Sequence, residues 1–392
     1  MMPKLKNVLL LNGIVTRADA ISRILCLKRE ALLGRFGGDV RVDIAAYAIE
    51  DGFENAHCVP GIVELMELEA FQRADLLIYE FGIFYDLFGS VRFKPPQART
   101  IAVWHNVTPP DLIANSGGSA LMERSIAQIS NMLHCDQVQC DSEFNAATLE
   151  GLGFDSARIR IVAPPVSKAI LQLGAKPWNR VNCCLKILFV GRFVSSKGVL
   201  DLMQAITTAL RSVPCNVELS LVGNVALSDP TYLRQVMNQV KISTARVDFR
   251  GTLNEENLAE AFHTADIFVM PSYHEGYCVP AVEALAAGCH VIAYDSGNLP
   301  AILGNNGALV PCGDVATLSE VLMDCFKEHG LAVEEEREPA YATGYGAIPE
   351  TQRRLRVRRY AAGFSEAVYA EEFLAAVSTM YSGSPVQTAL AC

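Results

Sequence analysis

Residues 267–294 read IFVMPSYHEGYCVPAVEALAAGCHVIAY, and this stretch decides the fold class. The apolar run at 267–270 predicts a buried strand, residues 279–287 predict an apolar helix, and residues 290–294 predict a second strand. Two strands joined by a helix form a crossover unit, which is typical of a parallel sheet. Because both strands are almost entirely apolar, we expect helices to cover both faces of that sheet. The stretch therefore predicts an α/β fold.

The same alternation of short apolar runs and helical patterns extends along most of the chain, which indicates two doubly wound, Rossmann-like domains. Strands are predicted at 6–12, 40–47, 75–79, 100–105, 137–142, 158–163, 185–190, 217–222, 247–250, 267–270 and 290–294. Helices are predicted at 19–36, 119–133, 145–152, 199–212, 232–242, 255–264, 279–287, 315–329 and 365–380.

Two segments interrupt this alternation. Residues 164–182 lose the periodicity and contain Pro164, Pro165 and Pro177, so we expect the interdomain linker there. This divides the chain into an N-terminal domain over 1–165 and a C-terminal domain over 183–360. Residues 334–352 begin with a glutamate cluster and precede an arginine cluster at 353–359. We expect this segment to be a solvated loop that leads into a helix.

The composition excludes several classes of protein. The chain has 392 residues, of which 51% are apolar and 19% charged, so it can build two cores and is not intrinsically disordered. The net charge of −10 argues against nucleic acid as a partner. No apolar run reaches the roughly 20 residues of a membrane-spanning helix, and no secretory leader is visible. We therefore expect a cytoplasmic protein whose 12 cysteines are mostly buried, free thiols.

The first 41 residues carry a local excess of positive charge. Two interpretations stay open, namely peripheral contact with an anionic surface at the inner face of a membrane, or an ordinary solvated helix face. The eight cations are Lys4, Lys6, Arg17, Arg23, Lys28, Arg29, Arg35 and Arg41, against the three acids Asp19, Glu30 and Asp39.

The densest polar cluster lies between the strand and the helix of the opening stretch. Glu275 belongs to the loop and Glu283 to the first turn of the predicted helix. Ligands of doubly wound sheets bind beyond the carboxyl ends of the strands, where a helix N-terminus also favours anions. Carboxylates accept hydrogen bonds from adjacent hydroxyls, so this pair suits ribose and hexose diols. The alternative is that Glu283 merely complements the helix dipole and Glu275 is a loop charge.

A second cluster, GRFVSSKG at 191–198, follows the first strand of the second half. Arg192 and Lys197 could neutralise a diphosphate, with each pairing on the order of 4 kcal/mol before desolvation. The loop lacks the G-x-x-x-x-G-K-[ST] pattern of a P-loop. Taken alone, a solvated arginine and lysine would explain it equally well.

In this order the two clusters resemble the retaining glycosyltransferases of family 4, which have the GT-B fold. In that family the second domain begins with a strand and a G-R-x-x-x-x-K-G loop. Its E-x7-E motif lies in the context E-G-[FY]-x-x-P-x-x-E-A-x-A-x-G, and residues 275–288 read EGYCVPAVEALAAG. Residues 104–110, WHNVTPP, are similar to the Tyr-His-Asn-Ile-Thr-Pro motif of one subset. The resemblance implies two Rossmann-like domains that face a central cleft, with a C-terminal helix over about 368–385 that returns to the N-terminal domain.

The resemblance also implies roles on the donor side. Arg192 and Lys197 would hold the diphosphate of a nucleotide sugar, and Lys197 would stabilise the departing charge. Glu283 would bind the ribose hydroxyls, and Glu275 would contact hydroxyls of the donor sugar. Further contacts are implied for Leu253, which would meet the base, and for Gly276, Tyr277, Cys278 and Val279, whose backbone N–H groups would face the sugar or phosphate.

The acceptor side is implied to lie in the first half. His105 would sit near the reacting sugar and is a predicted catalytic residue together with Arg192, Lys197 and Glu275. The competing interpretation of His105 is a buried histidine at a strand end that holds a loop by hydrogen bonds. The other predicted acceptor-side residues are Asn12, Gly13, Asp19 and Asn106.

The sequence departs from the family at three places, one of which is Gly223, followed by Asn224 and Val225 instead of a second glycine. Gly13 is followed by Ile14 instead of a second glycine, so the acceptor-side loop differs from the common one. Residues 297–301, GNLPA, lack a carboxylate that relatives often have near the donor site. The type of reaction is therefore more transferable than the identity of the donor.

The predicted function is transfer of a hexose, with retention, from GDP-mannose or a UDP-hexose to a glycan or lipid-linked acceptor in the biosynthesis of surface polysaccharides or glycoconjugates. We expect no metal and no cofactor, because the chain has no Asp-x-Asp to ligate a metal-bridged diphosphate. A sugar-nucleotide epimerase or hydrolase and a non-catalytic nucleotide-sugar-binding protein remain alternatives. A nicotinamide-dependent oxidoreductase is disfavoured, because no G-x-G-x-x-G follows a predicted strand.

Overall fold

The structure is a computed structural model that describes residues 5–16, 19–113, 116–173 and 184–382. The chain divides into two compact units. The first comprises Met1–Pro110, Gly117–Pro164 and Glu366–Cys392, and the second comprises Asp111–Ser116 and Pro165–Ser365. Part of the predicted linker, residues 174–182, lies outside the described residues.

The first unit is built on a parallel sheet of seven strands in the order β5-β3-β1-β6-β7-β8-β9, beside a small β2-β4 pair. Its strands are β1 (Asn7–Leu11), β2 (Ile14–Val15), β3 (Arg41–Ala46), β4 (Ala48–Ile49), β5 (Ala56–Cys58), β6 (Leu76–Phe81), β7 (Arg99–Trp104), β8 (Gln137–Cys140) and β9 (Ile159–Ile161). Its helices include α1 (Ala20–Phe36), α2 (Ile62–Glu67), α3 (Glu69–Gln72), α4 (Ser116–Gln128) and α5 (Glu143–Gly151).

The apolar runs of the sequence explain the centre of this sheet. Leu9 and Leu11 of β1 contribute to one hydrophobic core, and Val8 and Leu10 contribute to another. The alternation places one core on each face, as expected for a parallel sheet that is covered on both sides. Strands β2, β4 and β5 were not predicted, because runs of two or three residues carry no readable period.

The second unit is built on a parallel sheet of six strands in the order β12-β11-β10-β13-β14-β15. Its strands are β10 (Leu185–Val190), β11 (Val217–Val222), β12 (Arg246–Gly251), β13 (Ile267–Met270), β14 (His290–Asp295) and β15 (Ala308–Pro311), with a β16 (Ala342–Thr343) and β17 (Gly346–Ala347) hairpin beside it. Its helices are α6 (Lys168–Gln172), α7 (Val199–Ser212), α8 (Pro230–Ile242), α9 (Glu255–Thr264), α10 (Val279–Ala287), α11 (Leu299–Leu303), α12 (Val315–Glu334) and α13 (Glu350–Ala361).

This strand order fixes where a ligand would bind. The chain moves outward from β10 to β12 and then returns to place β13 on the other side of β10. The order therefore reverses between β10 and β13, and the crevice beyond the carboxyl ends of these two strands is the usual ligand site of such sheets. The two polar clusters of the sequence follow these two strands.

The segment before α13 corrects one expectation from the sequence. Helix α12 extends to Glu334 and the β16-β17 hairpin follows, but the arginines of α13 are not all solvated. Arg353 and Arg354 are 1% and 4% exposed. Both guanidinium groups donate to the buried carboxylate of Glu350, and Arg353 also donates to the main-chain oxygens of Gly288 and Cys289, each at 2.6 Å. Arg353 and Arg354 are buried because both pair with the carboxylate of Glu350, whereas Arg356 and Arg359 are exposed.

The last helix, α14 (Glu366–Ser382), packs on the first unit. Tyr369, Phe373 and Val377 are buried in one of that unit's two cores. The side-chain amide of Gln137 in β8 donates to the main-chain oxygen of Ala376 at 2.9 Å. The chain thus leaves the first unit at Pro164 and returns to it after Ser365.

The cysteines are free, and the helices do not have the length and apolar character of membrane spans in the part of the chain that the structure describes. Ten cysteines lie in the described part of the chain, and all ten are free thiols. Five of them are buried, which is fewer than the sequence predicts. Within the described residues, no helix is both long enough and apolar enough to span a lipid bilayer.

Candidate active site

The loop between β13 and α10 ends in a sharp turn of the backbone. Cys278 adopts a left-handed conformation with φ 74°, and no side chain caps the first turn of α10 among the described residues. Pro280 stands at the start of the helix, where its missing N–H costs nothing. Such an N-terminus presents backbone N–H groups and a positive partial charge beyond the sheet.

The two glutamates of the motif are both buried, with Glu275 8% and Glu283 5% exposed. Helix α10 begins at Val279, so Glu283 is its fifth residue and lies one residue beyond the first turn, which contains no acid. The predicted first-turn position of Glu283 is therefore wrong. Interaction with the helix dipole therefore explains the position of Glu283 less well, because the effect of a helix dipole falls off within the first turn.

The loop after β10 brings a cation to Glu275. The Nζ of Lys197 donates to the Oε1 of Glu275 at 2.6 Å, and the two side chains are 19% and 10% exposed. Phe193 anchors the loop, because its buried ring lies 6.4 Å from the ring of Phe189 in β10. Arg192 is exposed and forms no ion pair within the part of the chain that the structure describes.

Hydrogen bonds join the two loops. The N–H of Tyr273 donates to the main-chain oxygen of Ser196 at 2.9 Å. The hydroxyls of Tyr273 and Tyr294 both donate to Oδ2 of Asp201, at 2.6 Å and 2.8 Å. Asp201 lies in the first turn of α7, directly after the Lys197 loop. This group was not predicted, although an acid near a helix start and a tyrosine in a motif loop are visible in the sequence.

Residues 297 and 298 contact the main chain of Glu275. The N–H of Asn298 donates to the main-chain oxygen of Glu275 at 2.9 Å. Gly297 has φ +54°, and a Cβ at this position would lie 2.1 Å from the same oxygen. The segment in which the family carboxylate is missing therefore holds the backbone of the donor loop in place.

The remaining predicted donor-side residues lie after β12 or between β13 and the start of α10. Leu253 is half-buried in the loop between β12 and α9. Tyr277 and Cys278 are buried, and burial together with the charge of Glu275 raises the pKa of the Cys278 thiol. His274, to which the sequence analysis gave no role, lies beside Glu275, and burial lowers its pKa. Gly276 and Val279 flank these residues on the chain.

His105 lies in a buried charge network at the strand ends of the first unit. Its Nδ1 is 2.9 Å from Oδ2 of Asp141, and its Nε2 is 2.8 Å from Oε2 of Glu80. The Nζ of Lys28 in α1 donates to the other oxygen of Glu80 at 2.6 Å. Burial alone would lower the pKa of His105, but Asp141 and Glu80 raise it to about 9. The imidazole is therefore charged and donates both N–H groups, which matches the loop-holding interpretation.

The other predicted acceptor-side residues have local partners. The carboxylate of Asp19 caps α1, accepting from the N–H and the hydroxyl of Ser22 at 2.8 Å and 2.9 Å. The side chain of Asn12 donates to the main-chain oxygen of Ile14 at 2.9 Å. A Cβ at Gly13 would make ordinary contact with Tyr85 at 3.4 Å, so the backbone does not require glycine there.

Asn106 has an unusual backbone conformation, with φ 70°. Its side-chain oxygen accepts from the N–H of Val107 at 2.6 Å, and its amide donates to Oδ1 of Asn145 at 2.7 Å. Asn145 lies in α5, which begins after Asp141. Asn106 is thus held beside the His105 network, and its acceptor role stays a prediction.

The basic residues of the first 41 positions are mostly paired. Lys4 and Arg17 lie outside the described residues. Of the other six, four form ion pairs: Arg23 with Glu366, Lys28 with Glu80, Arg29 with Glu54 and Arg41 with Asp43. These pairs reduce the excess charge available to an anionic surface.

In the described part of the chain, no group of three or more His, Cys, Asp or Glu side chains is arranged to hold a metal ion.

The architecture defines a class of protein, the GT-B glycosyltransferase fold. The described chain aligns over 97% of its length with all of a sucrose-phosphate synthase from Thermosynechococcus elongatus, with a TM-score of 0.67 and 19% sequence identity. It aligns over 95% of its length with 99% of Anabaena HepE in complex with UDP-glucose, with a TM-score of 0.65 and 15% identity. The fold class predicted from the sequence is confirmed.

The second unit also matches a family in sequence. Residues 184–328 match the family described as Glycosyl transferases group 1, and the predicted resemblance to GT-B glycosyltransferases is confirmed. The chain is 33% identical over 153 residues to a D-inositol 3-phosphate glycosyltransferase of Streptomyces avermitilis, covering 37% of this chain and 33% of that protein. It is 36% identical over 132 residues to an MMP α-(1→4)-mannosyltransferase of Mycolicibacterium hassiacum, covering 33% and 31% of the two chains. These alignments thus span about a third of each curated relative.

Proposed function

We propose that this protein transfers a hexose from a nucleotide diphosphate sugar to a hydroxyl group of a glycan or lipid-linked acceptor, with retention of configuration. One observation carries the proposal. At the point where the strand order of the second unit reverses, Lys197 and Glu275 meet at 2.6 Å beside the N-terminus of α10. Cation, carboxylate and helix N-terminus are the groups that a diphosphate attached to a polyhydroxylated sugar requires.

The roles follow the chemistry of each side chain. Lys197 and Arg192 bind the diphosphate, and Lys197 stabilises the charge on the leaving phosphate as the bond between the anomeric carbon and the phosphate oxygen breaks and the acceptor oxygen bonds to that carbon. Glu283 accepts hydrogen bonds from the ribose, and Glu275 accepts them from the donor sugar. The leaving phosphate takes the proton of the attacking hydroxyl on the same face, which accounts for retention without a protein nucleophile.

The donor class rests on similarity as well as geometry. One relative is named a mannosyltransferase, and one solved neighbour was crystallised with UDP-glucose. We propose GDP-mannose or a UDP-hexose as donor, in a cytoplasmic pathway that builds surface polysaccharide or glycoconjugates. Peripheral contact with an anionic membrane would depend on the remaining N-terminal cations, because four of the described ones are paired within the protein.

We also propose that the reaction needs no divalent metal, because Lys197, Arg192 and the helix N-terminus supply positive charge to the diphosphate. Sugar transfer should therefore be unchanged when EDTA replaces Mg²⁺ in the assay. Activity that falls with EDTA and returns with added Mg²⁺ would contradict this part of the proposal.

The test of the proposed function is a transfer assay on single variants. Glu283→Ala, Lys197→Ala and Arg192→Ala should each reduce transfer by a factor of about 100 or more while the protein stays folded, because each loses a charged contact to the donor. Glu320→Ala and Arg211→Ala, exposed positions on α12 and α7, are the matched controls. Full activity in all three site variants would overturn the proposal. Consumption of the donor without any acceptor would instead indicate a hydrolase or epimerase.

A further inference from the structure

The ion pair between Lys197 and Glu275 joins two groups that the proposed function assigns to different parts of the donor. Lys197 is assigned to the diphosphate, whereas Glu275 is assigned to the sugar hydroxyls. Nζ of Lys197 is 2.6 Å from Oε1 of Glu275, and both side chains are largely buried. The cation is therefore already bonded when a diphosphate arrives.

The backbone beneath this pair is fixed from several directions. The N–H of Tyr273 bonds Ser196, and a Cβ at Gly198 would lie 2.0 Å from the main-chain oxygen of Pro271. Asn298 holds the backbone of Glu275 by a hydrogen bond of 2.9 Å. Any exchange of partners must therefore occur by rotation of the two side chains, for which the flexible four-carbon stem of lysine is well suited.

The inference rests on the proposed function. We propose that Glu275 is the counterion of Lys197 until a ligand takes its place. Displacement of Glu275 then makes the site select the intact nucleotide sugar over the free nucleoside diphosphate. A free diphosphate takes Lys197 away from Glu275 and gives the carboxylate nothing in return. The largely buried carboxylate then keeps a hydrogen bond from the Cys278 thiol but loses its cation, which costs desolvation energy that the free diphosphate does not repay. A nucleotide sugar takes the same cation but offers hydroxyls that donate to the carboxylate.

The same exchange favours release of the product. Once the sugar has been transferred, the remaining diphosphate no longer satisfies Glu275, so the carboxylate competes with the phosphate for Lys197. The pair therefore acts against binding of the spent donor. Selectivity of this kind arises from an element that penalises the wrong ligand as well as from contacts to the right one.

Isothermal titration calorimetry on the full chain tests the proposal, with UDP, GDP, UDP-glucose and GDP-mannose as probes. In Glu275→Gln the lysine is released from its counterion, so the free nucleoside diphosphate should bind about tenfold more tightly and the matching nucleotide sugar about tenfold more weakly than to the unsubstituted protein. Glu320→Gln, the same change on an exposed face of α12, should alter neither affinity.

A second variant distinguishes loss of the counterion from a folding defect. Glu275→Asp keeps the charge but shortens the side chain, so it should also tighten binding of the free diphosphate, by less than Glu275→Gln. If both variants weaken the two ligand classes equally, or change neither, the counterion proposal is overturned. If the unsubstituted protein binds no nucleotide at all, the proposed function itself fails, which is a different result from the first two.

Discussion

His105 is a residue for which sequence and structure suggest different kinds of role. A general base needs a ring nitrogen with a free lone pair. Both ring nitrogens of His105 face carboxylates at under 3 Å, those of Asp141 and Glu80. The geometry favours a positioning role, in which a charged imidazole holds the neighbouring Asn106 backbone in its left-handed conformation. The catalytic role of His105 stays a prediction.

The charges around His105 predict how the free energy of unfolding depends on pH. The pKa of His105 is raised from 6.5 to about 9. A raised pKa means that the folded state binds the proton more tightly, so the stabilisation is complete below about pH 6.5 and is lost as the pH rises through about 9. The free energy of unfolding should fall over that interval by an amount on the order of 3 kcal/mol, measured by urea unfolding at several pH values.

The His105→Gln variant isolates that contribution. It should lose the alkaline decline between pH 6.5 and 9, whereas His134→Gln, at an exposed position, should retain it. An alkaline decline of equal size in His105→Gln would mean that some other group is responsible.

A glycine beside Lys197 provides a second test at this scale. Gly198 has φ +61°, and an added Cβ would lie 2.0 Å from the main-chain oxygen of Pro271. Gly153, which follows α5, also has a positive φ, of +89°, with nothing within 4 Å, so it reports the conformational cost without a close approach. Gly153→Ala should cost about 1 kcal/mol of unfolding free energy, and Gly198→Ala at least about 2 kcal/mol more, with loss of donor binding. Equal melting temperatures for the two variants would show that the close approach is unimportant.

The sequence was informative about some of these residues and silent about others. Lys197 and Glu275 are 78 residues apart, yet each lies in a motif whose place at a strand end could be predicted. The partners Lys28 and Glu80 carry no such signal. They are single charges within a helix or strand, and only the packed fold brings them to their partners.

At the scale of elements, the contact between α13 and α10 is the clearest departure from expectation. A run of arginines normally indicates a solvated surface. Here Arg353 reaches the main-chain oxygens of Gly288 and Cys289, just beyond the C-terminus of α10, while Glu350 balances the charge. Cations are favoured at that end of a helix. Helix α13 therefore supports the far end of the helix whose N-terminus forms part of the candidate site.

We predict that this support is required for stability. Arg353→Ala leaves the buried carboxylate of Glu350 and two carbonyl oxygens short of partners, so it should cost about 3 to 5 kcal/mol in a urea titration. Arg359→Ala, at an exposed position on the same helix, should stay within about 0.5 kcal/mol of the unsubstituted protein. Comparable values for the two variants would refute a structural role for the buried arginine.

At the scale of the whole molecule, the fold class was readable because parallel strands buried on both faces leave long apolar runs with a helical pattern between them. Most of the longer strands and helices were found in this way. The short edge strand β15 was missed because its apolar run of three residues is too short to show a period, and because Pro311 argues against a strand. The net charge of −10 likewise did not reveal the cations of the candidate site, since a total charge averages over local groups.

We propose that the second unit binds a nucleotide sugar through Lys197, Arg192 and Glu283. A thermal-shift titration across UDP- and GDP-sugars tests it most directly, because a ligand at 100 times its Kd stabilises the folded state by about 2.7 kcal/mol. We predict a saturable rise in melting temperature with one nucleotide-sugar class, which Lys197→Ala and Glu283→Ala abolish and Glu320→Ala preserves. The absence of a rise with any nucleotide sugar, or an undiminished rise in both site variants, would contradict the claim.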